Sequence, residues 1–291
     1  MTGATFVNLL VAVVLGYVLL VGIVFVTQER LVYFPDIGRE VAITPKAYGL
    51  DFESVQIATE DGEKLHSWWV PVERPRGTVL LFHGNAGSIA GRVDYLLMFH
   101  RLGYSTLIID YRGYGQSTGK PSEAGTYRDA EAAWHWLTAT RGIKAADIVL
   151  FGESLGGAVA SWLAARVPPV TEPAVPQPGG TPRALILAST FTSVNDLGAE
   201  VYPFLPVRLI SRIGYDNRAN LQAVQVPVLI AHSPRDELIP YAHGRRLFDA
   251  ARQPKQFLEL AGGHNDGFIF MRESWVQALR DFLDQHAPDG R

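Results

Sequence analysis

The chain has 291 residues, 47% of them hydrophobic, enough to bury one large core, and a single catalytic domain is expected. A formal net charge of −3 offers no broad basic face for a phosphate backbone, which argues against a nucleic-acid partner. The absence of cysteine excludes thiolate catalysis, disulfides and cysteine-ligated zinc together.

The amino terminus is the compositional outlier. Leu9 to Val26 carries no charged or strongly polar residue, and a bilayer-crossing helix needs about 20 such residues. No Lys or Arg precedes the run and no A-x-A cleavage site follows it, so residues 1–28 are expected to form an uncleaved, single-pass membrane anchor rather than a signal peptide. Arg30, Arg39 and Lys46 follow the span and no basic residue precedes it, a bias toward a cytoplasmic catalytic domain.

Residues 29–291 read as that domain. Phe52 to Ala58 and Lys64 to Val70, separated by Asp61-Gly62, predict an antiparallel hairpin. Further strands are predicted at Thr78 to Phe82, Ser105 to Ile109, Ile148 to Phe151, Ala184 to Ala188, Val228 to Ala231 and Phe257 to Leu260. Helices are predicted over Ile89 to Leu102, Ser122 to Thr140, Ser154 to Arg166, Ala242 to Ala251 and Asp266 to Gln285. Such alternation implies an α/β fold with a mostly parallel, doubly wound sheet. Two stretches interrupt it. Pro168 to Pro182 is too rich in proline for helix or central strand and reads as an exposed loop. Phe191 to Leu221, with Tyr202-Pro203-Phe204-Leu205-Pro206-Val207 at its centre, reads as a small lid whose apolar residues either line an acyl pocket or pack the lid onto the domain.

The chemistry starts at Gly152-Glu153-Ser154-Leu155-Gly156, a G-x-S-x-G between an apolar strand and a helical pattern. At so sharp a turn, side chains two residues either side of the serine would collide, and glycines stand there. Leu155, Ala158, Val159, Trp162 and Leu163 recur at helical spacing, predicting one buried helix face with Ser154 exposed at its start. A serine hydroxyl is a weak nucleophile and needs a base, which needs an orienting carboxylate, in the chain order Ser, acid, His. Asp236 lies in the loop after the strand ending near Ala231, and His264 in Gly262-Gly263-His264-Asn265 after the strand ending near Leu260. Both positions sit at carboxyl ends of parallel strands, where sites gather in such sheets. Asp196 and Asp266 compete for the acid's role, but Asp266 is too near His264 in sequence. Acyl transfer also needs backbone N–H groups for the developing oxyanion, and Leu155 and Asn85 of His83-Gly84-Asn85-Ala86-Gly87 are the candidates. His83 reads as structural.

Beyond the anchor the chain resembles α/β-hydrolases of the Bem46 type. The pieces that carry the likeness are Arg30-Leu31-Val32-Tyr33-Phe34-Pro35, Leu81-Phe82-His83-Gly84-Asn85-Ala86-Gly87, Asp110-Tyr111-Arg112-Gly113-Tyr114-Gly115-Gln116-Ser117, the nucleophile turn and Gly263-His264-Asn265-Asp266. The resemblance implies an eight-stranded sheet, no cofactor, the triad Ser154, Asp236 and His264, and an ester or thioester substrate. Protein depalmitoylation occurs among such relatives, from which this chain departs in lacking cysteines near its start. It also implies an architectural turn at Asp110 to Gly115, in which Asp110 and Arg112 satisfy loop backbone and each other. The expected activity is therefore that of a membrane-anchored serine hydrolase acting through an acyl-enzyme. A peptidase on the same fold and a non-catalytic membrane-anchored interaction module are the alternatives.

Overall fold

The computed structural model describes residues 3–37, 43–167, 180–266 and 269–286. Most of the proline-rich stretch expected to form an exposed loop, residues 168–179, lies outside them.

An eight-stranded sheet runs through the molecule in the order β1-β2-β4-β3-β5-β6-β7-β8. β1 (Glu53–Ala58) and β2 (Lys64–Val70) form the expected antiparallel hairpin, closed where Gly62 takes φ +89°. β2 pairs antiparallel with β4 (Tyr104–Ile109), and the sheet is parallel from there through β3 (Gly77–Phe82), β5 (Ile148–Glu153), β6 (Ala184–Ala188), β7 (Val228–His232) and β8 (Lys255–Glu259). β3 and β5 to β7 are buried along their whole length, as strands covered on both faces must be.

Alternate residues of these strands feed two cores. Leu80 and Phe82 of β3 point to one face, packed beneath α3 (Glu123–His135), α4 (Leu155–Arg166), α7 (Asn217–Ala223) and α8 (Tyr241–Ala250). Val79 and Leu81 point to the other, under α2 (Val93–Arg101) and α9 (Glu273–Gln285). Cutting a side chain such as Phe82 back to Ala would cost about 3–5 kcal/mol at these close-packed positions.

Helix boundaries depart from the sequence reading where local backbone breaks the ladder. Arg92 (φ −122°, ψ 17°) separates a 3₁₀ turn, Ile89–Arg92, from α2. Arg272 takes extended angles, so α9 begins at Glu273 and not at Asp266. α3 continues into a π turn over Trp136–Thr140. Between β6 and β7 the chain forms α5 (Val194–Val201), α6 (Val207–Ile210) and α7.

Before the sheet stands α1 (Gly3–Val32), long and apolar enough to cross a membrane and a candidate anchor, with Gln28 its buried residue. Its end is tied to the domain. Asn85 Nδ2 donates to Val32 O at 3.0 Å, the Phe34 N–H donates to Asn85 O at 3.1 Å, and Phe34 bridges Ala86 in parallel.

Candidate active site

Ser154 caps α4 with φ 51° and ψ −119°, a left-handed backbone that costs a non-glycine residue on the order of 1–3 kcal/mol. Its neighbours hold it there. The Ser154 N–H donates to Ala188 O at 2.9 Å, and Ser154 O accepts from Thr190 Oγ1 at 2.7 Å. The flanking glycines are required by space: a Cβ on Gly152 would lie 2.3 Å from Gly156 O, and one on Gly156 would lie 2.1 Å from Phe82 O.

Two expectations about this turn are corrected. Ser154 is buried, at 9% exposure, because the loop after β3 closes over it: a Cβ on Gly84 would stand 3.4 Å from the Ser154 Cβ. Nor does α4 bury a single face. It is buried almost all round, from Leu155 to Ser161 and at Leu163 and Ala164, because β3, β6, α3 and α7 all pack around it. Trp162, expected on the buried face, is half-buried and stacks on Tyr127.

Asp236 and His264 come together. His264 Nδ1 lies 2.8 Å from Asp236 Oδ2, and both side chains are withdrawn from solvent. The other carboxylate oxygen, Oδ1, accepts the N–H groups of Leu238 (3.0 Å) and Ile239 (2.8 Å), so backbone fixes the carboxylate's rotation while Oδ2 meets the ring. The two loops are laced together by Ser233 Oγ donating to Gly262 O (2.6 Å) and by the His264 N–H donating to Glu237 Oε2 (2.9 Å). Burial works against a charged His264 ring, but the hydrogen bond and charge of Asp236 outweigh it and the pKa is raised. Asp236 shifts the other way: burial opposes its ionisation, and the hydrogen bond and charge of His264 more than compensate, so its pKa is lowered.

Glu153, the residue before Ser154, also raises the His264 pKa by its charge, which links the Ser154 turn to the imidazole electrostatically. Its buried carboxylate faces Arg92, with Nε 3.2 Å from Oε2, and Arg92 Nη2 donates to Ala86 O at 3.3 Å. No sequence motif announced this pair, because Arg92 belongs to a short 3₁₀ turn whose position depends on the fold.

Leu155 opens α4, and Asn85 lies in the loop leaving β3. The Asn85 peptide is immobilised through its carbonyl, which accepts from Phe34 N–H and from Tyr114 Oη at 2.9 Å. Val32, Phe34 and Tyr114 therefore support this loop, a role that their sequence context did not single out.

The competing residues have other partners. Asp196 accepts from Thr192 Oγ1 and Arg208 Nη2, each at 3.0 Å. His83 is fully buried, its Nδ1 donates to Gly84 O at 2.7 Å, and burial lowers its pKa to about 4, consistent with a structural ring. Asp110 satisfies loop backbone by accepting from Ile89 N–H at 2.9 Å, but it pairs with His66 and not with Arg112. Arg112 bonds Asp129 and Asp61, because the β1–β2 turn and α3 bring those carboxylates to its guanidinium.

Comparison with known proteins agrees with this architecture. Residues 77–172 match the alpha/beta hydrolase fold family. An uncharacterized protein of Mycobacterium tuberculosis is 37% identical over 91% of this chain and 90% of its own length. Protein bem46 of Schizosaccharomyces pombe is 32% identical over 91% of this chain and 88% of its own. In structure, an esterase of Pyrococcus furiosus superposes with a TM-score of 0.70 at 19% identity, covering 88% of this chain and 98% of the esterase. The fold and the relatives together make the chain a member of the α/β-hydrolases of the Bem46 type.

Proposed function

We propose that the chain is a membrane-tethered serine hydrolase that cleaves carboxylic esters or thioesters through an acyl-enzyme. The observation that carries this reading is the 2.8 Å contact between His264 Nδ1 and Asp236 Oδ2, in a domain that also holds Ser154 on a strained strand-to-helix turn. Ser154 Oγ attacks the acyl carbon while His264 takes its proton, and the same proton then passes to the departing alcohol or thiol. Water then attacks the acyl carbon as His264 takes its proton, the bond to Ser154 Oγ breaks to release the acid, and His264 returns the proton to Ser154 Oγ. Asp236 keeps the imidazole oriented and stabilises its charged form, and the Asn85 and Leu155 N–H groups receive the oxyanion.

In this reading residues 1–28 are the anchor, residues 29–291 the catalytic domain and residues 191–221 its lid. The apolar α1 supports the tether, and Arg30, Arg39 and Lys46 after it favour a cytoplasmic domain. A chain-length series of acyl esters and acyl thioesters, run on wild type and Ser154→Ala with p-nitroanilide peptides alongside, tests the proposal. Serine-dependent turnover of acyl substrates supports it. Turnover confined to the peptide anilides would instead support a peptidase.

A further inference from the structure

We propose that the tip of the lid, Tyr202 to Ile210, is itself embedded in the bilayer beside α1, so that anchor and lid form one membrane-facing unit. The inference rests on reading α1 as the anchor. Gln28 holds the two elements together at the domain end of the helix: its Nε2 donates to Ile210 O, its Oε1 accepts from the Arg212 N–H at 2.6 Å, and the Arg212 guanidinium lies 4.8 Å from the Phe25 ring. Gln28, Glu29, Arg30 and Arg212 mark the level at which water begins. Farther along, Tyr17 Oη donates to Phe204 O at 2.9 Å. Tyr17 precedes Gln28 by eleven residues, or roughly 16 Å of helix at 1.5 Å per residue. Phe204 thus lies at the level of the middle of the apolar run, and the tip rises from there to Ile210 at the level of Gln28.

Its chemistry suits that depth. Leu209 is 88% exposed and Phe204 61%, with Tyr202 and Val201 also open, and Phe204 meets the exposed apolar α1 at Tyr17. Hydrocarbon demands that backbone polar groups be satisfied internally. Pro203 and Pro206 carry no N–H, and Tyr202, Leu205, Val207, Leu209, Ile210 and Ser211 donate theirs to carbonyls between Gly198 and Val207. The Tyr17 hydroxyl supplies the partner for Phe204 O, and each polar group is satisfied by the other. Arg208, the tip's one formal charge, is paired with Asp196.

The natural lack of cysteine makes single-site labelling direct. An environment-sensitive nitrobenzoxadiazole label is placed on F204C, L209C, L15C in the apolar run, and K144C before β5 at the opposite end of the sheet. Each full-length protein is reconstituted into phosphatidylcholine and phosphatidylglycerol vesicles carrying acyl-chain spin labels. The expected result is loss of fluorescence at position 204 matching that at 15, a smaller loss at 209 and none at 144, and the reverse order with aqueous iodide. Lid labels behaving like 144 while 15 is quenched would overturn the embedded lid and leave the anchor standing. Absence of quenching at 15 would remove the anchor and the lid proposal with it.

Discussion

Asp236 and His264 stand 28 residues apart in sequence, yet Oδ2 and Nδ1 meet at 2.8 Å because adjacent parallel strands, β7 and β8, deliver their following loops side by side. If His264 is the base, activity requires its neutral form, and a raised pKa sets the acid limb of the kcat/KM profile above the ordinary 6.5. Asp236→Asn removes the hydrogen bond and the charge that raise the pKa most, leaving the charges of Glu153 and Glu237 against burial, which lowers it. The expected outcome is a kcat loss of about 10⁴ with the residual activity's acid limb moved to lower pH. Stopped-flow or steady-state ester hydrolysis from acid to neutral pH reads both.

The Glu153–Arg92 pair gives a second test, since Glu153 is 4% exposed in its side chain and Arg92 18%. Arg92→Met leaves a buried carboxylate without its counter-charge, a loss of about 3–5 kcal/mol in unfolding free energy. Adding Glu153→Gln should recover much of that loss. Glu153→Gln alone should lower the acid-limb pKa, because Glu153 is one of the charges that raise His264. Denaturant melts and pH–rate profiles on the three variants separate the two effects.

Much of the fold was legible because period-two and helical spacings are local properties. The β1–β2 hairpin, for example, announces itself in Asp61-Gly62 between two β-rich segments, and Ala184 to Ala188 is a strand as read. What was not legible depends on contacts between distant segments. Arg112 and Asp110 are two residues apart, and sequence suggested that they pair, but the tertiary fold offers Arg112 Asp61 and Asp129 instead. The burial of Ser154 follows from how closely Gly84 passes, and the support of Asn85 by Phe34 joins two segments some 50 residues apart. Neither leaves a mark in local spacing.

The crowding at the Ser154 turn predicts a sharp contrast between two glycines. Gly156→Ala drives a Cβ into Phe82 O at 2.1 Å, backbone that cannot yield, whereas a methyl on Gly91 would meet no heavy atom within 4 Å and Gly91 has no left-handed φ. Gly156→Ala should cost about 3 kcal/mol or more. Gly91→Ala should stay within about 0.5 kcal/mol of wild type. Thermal melts of the detergent-solubilised proteins make the comparison.

His83 predicts an acid-sensitive component of stability. Its ring is buried and its folded pKa is lowered from 6.5 to about 4. A depressed pKa contributes stability that is fully present above 6.5 and is lost as pH falls toward 4, here about 3 kcal/mol at roughly 1.4 kcal/mol per pKa unit. His83→Asn should flatten the dependence of unfolding free energy on pH over that window. An unchanged slope would assign the loss to other groups, of which His232 and His243 are also lowered by burial.

The most direct measurement is fluorophosphonate labelling and acyl-ester turnover of the folded full-length protein, wild type and Ser154→Ala side by side. Covalent labelling of Ser154 in wild type, none at that site in the variant and a fall in kcat of about 10⁶ is the expected result. A folded Ser154→Ala protein that hydrolyses acyl esters as fast as wild type would contradict the acyl-enzyme mechanism.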